Sequence, residues 1–169
     1  FGDDVRKRGA TQLAGVPVRY EVMDRLGIKR LKIPSVTVMT QAGGRLSLNL
    51  QKQVYEYIEG VGGRFYVMYG QTEAAPRMST LPHKKFLEKV GSVGCVLPSG
   101  DFAIVSEDGT TCASKEVGEV SYSGANVMMG YAFSADDLLV GDQNRGVLKT
   151  GDMGSLDEDG YLTITGRAN

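Results

Sequence analysis

Residues able to hold a transition metal are scarce in this sequence. His83 is the single histidine, and Cys95 and Cys112 are the two cysteines. They form no C-x-x-C pair, so neither a metal set nor a disulfide framework is expected, and reduced thiols of a cytoplasmic protein fit better. An excess of one charge is missing as well: 19 Lys and Arg stand against 20 Asp and Glu, a formal net charge of -1. With no aromatic and basic interleaving, that balance argues against a nucleic-acid partner. No apolar run approaches the roughly 18 residues a membrane span requires, and the charged start Gly2-Asp3-Asp4-Val5-Arg6-Lys7-Arg8 is not a signal peptide. Also absent is a G-x-x-x-x-G-K-[ST] phosphate loop. Gly60-Val61-Gly62-Gly63-Arg64-Phe65 fails the dinucleotide fingerprint at its last position.

What is present is an ordinary globular composition, 41% hydrophobic and 23% charged over 169 residues, enough to bury a real core. The 23 glycines imply many tight turns or close backbone approaches to a ligand. The chain opens on Phe1 without a methionine, as an excerpt of a longer protein would.

Thr11 to Gly15 reads as a short strand. Pro17 then opens a helix carrying Tyr20, Val22, Met23 and Leu26, which Gly27 ends. Val36-Thr37-Val38-Met39-Thr40 is β-branched and apolar, hence a buried strand, and it runs into the small-residue turn Gln41-Ala42-Gly43-Gly44. Ser47 can cap a helix with Leu50, Val54, Tyr57, Ile58 and Val61 at helical spacing, stopped by Gly62-Gly63. A strand over 64–69 follows. This alternation predicts a parallel sheet with covering helices over residues 1–90.

Beyond Gly91 the texture changes to short alternating runs broken by turns such as Asp108-Gly109 and Asp159-Gly160. Residues 91–169 are therefore expected to form a β-rich subdomain, a distorted barrel. The whole is an α/β chain with Asp136-Asp137 opening a short helix and Lys84-Lys85 in a solvated loop beside His83.

The strand Phe65-Tyr66-Val67-Met68 delivers Tyr69-Gly70-Gln71-Thr72-Glu73 to one edge of a sheet, where ligands bind in open α/β folds. Further along come Gly118-Glu119 with Gly124, Gly130 and Tyr131, then Thr150-Gly151-Asp152, then Gly166-Arg167. Together with the Gly43-Gly44 turn, these stretches resemble, in order and spacing, the motifs of the adenylate-forming superfamily. That superfamily includes acyl-CoA synthetases, the adenylation domains of peptide synthetases, and luciferases.

The resemblance implies an AMP-forming ligase that activates a carboxylic acid with ATP as an acyl-adenylate and passes the acyl group to the thiol of coenzyme A or a carrier-protein pantetheine. It implies that Gly43, Gly44, Tyr69, Gly70, Thr72, Asp152 and Arg167 bind the nucleotide and that Thr72 and Glu73 are catalytic. Glu73 would hold Mg²⁺ and Asn169 would be the hinge to a C-terminal lid domain. Val67, Met68, Ala74 and Ala75 would line a pocket for an acyl or aryl carboxylate, and the segment around Gly118 and Tyr131 would be chiefly structural. The superfamily's phosphate-holding loop would precede Phe1 and its lysine would follow Asn169, so the excerpt is expected to be inactive alone.

Each assignment has a physical reason and a plainer alternative. A carboxylate such as Asp152 can accept from both hydroxyls of a ribose cis-diol, or it sits in a turn. Tyr69 can stack on a purine or belong to the core, and Thr72 can donate to a phosphate or cap a helix. Glu73 can hold a hard cation or point into water. Arg167 is a fork donor suited to ribose or phosphate oxygens, or half of a surface ion pair. Val67 stands where relatives often place Asn or Asp towards the adenine, which leaves base contacts to the backbone. A non-catalytic module on the same fold and an amino-acid-adenylating domain are the competing functions.

Overall fold

A computed structural model of the chain describes residues 1–98 and 100–168. The hinge assignment to Asn169 lies outside the described residues. The chain forms two compact units, Phe1–Met68 with Leu81–Gly91, and Tyr69–Thr80 with Ser92–Asn169. The segment Tyr69–Thr80 thus clusters with residues from Ser92 onward and not with those that precede it.

The first unit begins with a helix where the sequence shows only a charged start, α1 (Gly2–Arg8). Asp3 and Asp4 lie in its first turn and Arg6, Lys7 and Arg8 in its last, the arrangement that complements the helix dipole. Gly9 closes it in the left-handed conformation. Three parallel strands follow in the order β1 (Gln12–Gly15), β2 (Val38–Gln41), β3 (Arg64–Tyr69), with Leu13, Met39 and Phe65 in register.

Helix α2 (Pro17–Arg25) buries Tyr20 and Met23, but Val22 and Leu26 face outward, so its apolar side is narrower than its sequence suggests. Helix α3 (Leu48–Glu59) is capped by Ser47, whose Oγ accepts from the Leu50 amide at 3.3 Å. It buries Leu50, Val54, Tyr57 and Ile58 and ends before Val61, which is exposed. Strand β2 runs one residue further than expected, through Gln41, which is buried and donates through Nε2 to the Gly44 carbonyl at 2.6 Å. That bond braces a turn in which Gly43 and Gly44 have φ of 75° and 149°.

His83 is built into this unit. Its Nδ1 accepts from the Phe65 amide at 3.2 Å, its Nε2 faces the Glu59 carboxylate, and Tyr55 stacks on its ring. With Nδ1 an acceptor, the ring proton sits on Nε2 and is donated to Glu59.

In the second unit, Ser79 and Thr80 of β4 (Ser79–Leu81) pair antiparallel with β5 (Cys95–Val96). A four-stranded antiparallel sheet follows in sequential order: β6 (Gly100–Val105), β7 (Gly118–Gly124), β8 (Val147–Leu156) and β9 (Leu162–Arg167). Among the described residues this sheet is open, which corrects the expected barrel: β6 and β9 are its two edges. Its packed face presents Phe102, Ile104, Val120, Tyr122, Leu148 and Leu162, gathered with Ala74 and Met78. The Asp108-Gly109 turn brings Thr111 back to bridge Val105 instead of leading directly into β7. Asp159-Gly160 makes the tight link from β8 to β9, with Asp157 accepting from the Asp159 and Tyr161 amides.

Candidate functional site

The strand β8 is the largest surprise of the second unit, because Thr150-Gly151-Asp152 lies inside it and not in a connecting turn. Glu119 pairs with Met153 and Ser121 with Lys149. A single β7 residue, Val120, therefore faces the three residues Thr150, Gly151 and Asp152, a bulge of the kind that re-aims a side chain. Gly151 adopts φ of 67°, a conformation that favours glycine. The Thr150 hydroxyl pins the bulge, donating to the Val120 carbonyl at 2.7 Å and accepting from the Asp152 amide at 3.1 Å.

The bulge fixes Asp152 with only 7% of its surface exposed. Its Oδ2 accepts from the Tyr69 hydroxyl at 2.6 Å and from Gln71 Nε2 at 2.9 Å. Gln71 Nε2 also donates to the Thr150 carbonyl at 2.7 Å. On the other carboxylate oxygen, Oδ1, the Arg167 guanidinium stands at 3.6 Å from the paired strand β9. Burial, and then the bond to Asp152, push the Tyr69 phenol well above its ordinary pKa. It therefore remains a donor at neutral pH.

Tyr69 and Gln71 reach Asp152 because the chain folds back sharply after β3. A Cβ on Gly70 would lie 1.9 Å from the Pro76 carbonyl oxygen, so no other residue fits there. The fold-back is closed by the Met78 amide donating to the Tyr69 carbonyl at 2.9 Å. Between these points lies a 3₁₀ turn, Thr72–Ala74, followed by Ala75 in the left-handed region. Thr72 is exposed on it, Glu73 is half-buried, and Ala74 is wholly buried in the apolar cluster with its carbonyl accepting from Asn126 Nδ2 at 2.6 Å.

Glu73 accepts a hydrogen bond from the Tyr131 hydroxyl, and this bond is the main reason its carboxyl is held below the ordinary range. The same bond raises Tyr131. A cavity of about 790 Å³ opens here, lined among others by Gln71, Glu73, Tyr131, Lys149, Gly151 and Arg167. Glu73 and the partners of Asp152 thus share one cavity wall. Among the described residues no cluster of three or more His, Cys, Asp or Glu could hold a metal. Glu73, which shares the cavity lining with Glu119, is an ionised carboxylate that fits a hard cation keeping its waters and taking its other oxygens from phosphates, as Mg²⁺ does.

Of the residues singled out in the sequence, Tyr69, Gly70, Thr72, Glu73, Ala74, Ala75, Asp152 and Arg167 belong to this unit. Gly43, Gly44, Val67 and Met68 belong to the first, where Val67 is a core residue 2% exposed. Gln71 occupies the position between Gly70 and Thr72 to which the sequence assigns no role. Tyr131, in a segment whose sequence suggests packing, bonds Glu73, and Asn126, which no motif marks, bonds the Ala74 carbonyl.

A family model for AMP-binding enzymes matches residues 1–132. The long-chain-fatty-acid–CoA ligase of Bacillus subtilis (strain 168) is 32% identical over 168 residues, covering 96% of this chain and 29% of the ligase. The 2-succinylbenzoate–CoA ligase of Bacillus velezensis is 39% identical over 99 residues, 59% of this chain and 20% of the ligase. The chain thus spans under a third of the length of these relatives. Its fold superposes with a TM-score of 0.76 on the O-succinylbenzoate coenzyme A synthetase of Bacillus subtilis in complex with ATP and magnesium ion. That alignment covers 98% of this chain and 33% of the synthetase, at 29% identity. With the family model matching residues 1–132, most of its length, the chain belongs to the family of AMP-binding enzymes.

Proposed function

We propose that this chain supplies the AMP-holding part of a ligase that activates a carboxylic acid as an acyl-adenylate and hands the acyl group to a thiol, of coenzyme A or a carrier protein. The observation that carries the reading is the Asp152 carboxylate. It is buried by a strand bulge, oriented by Tyr69 and Gln71 and set beside Arg167, and its partners Gln71 and Arg167 and its neighbour Gly151 line a cavity large enough for a nucleotide.

In this reading Asp152 accepts from the ribose hydroxyls, since a fixed carboxylate offers two oxygens to a cis-diol. Arg167 donates to ribose or phosphate oxygens. Thr72, exposed on the 3₁₀ turn, donates to a phosphate oxygen. Tyr69 positions Asp152 through its hydroxyl and presents its ring to the purine. Glu73 holds Mg²⁺, which when bound would neutralise charge on the phosphates. Attack of a carboxylate on the α-phosphate places most of the catalytic demand on positioning and charge neutralisation, and these groups meet the AMP share of it. Among the described residues no helix is long and apolar enough to cross a membrane.

Calorimetric titration of the chain with AMP tests the reading. Asp152→Asn preserves volume and removes the charged acceptor, and a hydrogen bond to a charged group is worth about 1.5–3 kcal/mol. Binding is expected to weaken by roughly 10- to 150-fold. Equal AMP affinity of Asp152→Asn and wild type would refute the assignment.

A further inference from the structure

We propose that Tyr131 is a positioning residue for Glu73, holding one carboxylate oxygen so that the other is presented to a divalent cation on the nucleotide phosphates. This rests on the reading of Glu73 as the magnesium carboxylate and extends it to a segment whose sequence suggests packing alone.

The geometry is that of a clamp. Tyr122, buried on β7, donates through its hydroxyl to Asn126 Oδ1 at 2.8 Å. Asn126 Nδ2 then donates to the Ala74 carbonyl at 2.6 Å, and the Met128 amide donates to the Glu73 carbonyl at 2.8 Å. These bonds fix the backbone of two consecutive residues of the 3₁₀ turn to the sheet. The Tyr131 hydroxyl then takes Glu73 Oε1, which fixes the side chain. Gly130, with φ of 156°, allows the chain to turn Tyr131 toward the carboxylate.

One segment, residues 122–131, therefore holds Glu73 at both its main chain and its carboxylate. An ionised carboxylate has about four acceptor sites on two oxygens, so a phenol on one oxygen leaves the second open to a cation. Neighbours that orient a ligating carboxylate are ordinarily worth 10- to 100-fold in metal affinity.

The test is Mn²⁺ binding to the chain with ATP, followed by electron paramagnetic resonance, alongside AMP titration without metal. Tyr131→Phe is expected to weaken Mn²⁺ by at least about 10-fold and to leave metal-free AMP affinity within about twofold of wild type. Glu73→Gln is expected to weaken Mn²⁺ at least as far. An unchanged or tighter Mn²⁺ affinity in Tyr131→Phe overturns the proposal, as does an equal fall in Mn²⁺ and AMP affinity, which marks a packing role only. If Glu73→Gln matches wild type, the magnesium reading of Glu73 falls and this proposal with it. If Glu73→Gln weakens Mn²⁺ and Tyr131→Phe does not, only this proposal falls.

Discussion

The Tyr69 hydroxyl illustrates how single groups define the site. It is raised above its ordinary value near 10, first by burial and then by Asp152. A group whose folded pKa is raised contributes stability that is fully present below the unfolded value and lost as pH rises toward the folded one. Alkaline unfolding should therefore separate wild type from Tyr69→Phe. The variant should be less stable at pH 7 to 9 and should lose less further stability above pH 10, as followed by circular dichroism. Parallel curves would mean that the phenol and Asp152 are not coupled.

Gly70 is a steric case of the same kind. Gly70→Ala would set a methyl 1.9 Å from the Pro76 oxygen, and relief requires a backbone shift costing on the order of 3 kcal/mol. The expected fall in Tm is roughly 6–12 °C, and a variant melting with wild type would contradict the tight fold-back. At this scale the sequence is legible where chemistry is tied to a motif: Tyr69, Glu73, Asp152 and Arg167 are distinctive residue types at distinctive spacings. Gln71 and Tyr131 are not, because an amide or a phenol becomes part of a site only through the partner it meets in space.

Among the elements, α3 and β3 follow directly from their residues. The Ser47 cap and the helical spacing of Leu50, Val54, Tyr57 and Ile58 suffice for the one, and an apolar β-branched and aromatic run for the other. Ser47→Ala should cost about 1 kcal/mol, read as a drop in Tm of roughly 2–4 °C. No change would mean that the hydroxyl does not cap α3. Helix α1 and strand β8 are not legible. The first has one buried apolar residue, Val5, and a run of charges that resembles a solvated loop. The second contains Gly151 and Gly154, residues that ordinarily interrupt strands, and its bulge breaks the alternation by which a strand is recognised. The feature that hides β8 in the sequence is also the one that turns Asp152 toward Tyr69 and Gln71.

At the scale of the whole molecule, composition and the change of texture near Gly91 point to an α/β portion followed by β structure, and the three parallel strands and the antiparallel sheet have that order. What the linear sequence hides is that Tyr69–Thr80 gathers with the later residues, because the contacts responsible, Tyr69 and Gln71 to Asp152 and Asn126 to Ala74, span 52 to 83 positions.

The adenosine site proposed here is tested most directly by a thermodynamic cycle. It compares AMP with 2′,3′-dideoxy-AMP, and wild type with Asp152→Asn, by calorimetry. If the ribose hydroxyls donate to Asp152, removing them weakens binding to wild type by roughly 10-fold or more and has little effect on the variant, a non-additive result. Dideoxy-AMP binding wild type as tightly as AMP, or losing equally in both proteins, would contradict it.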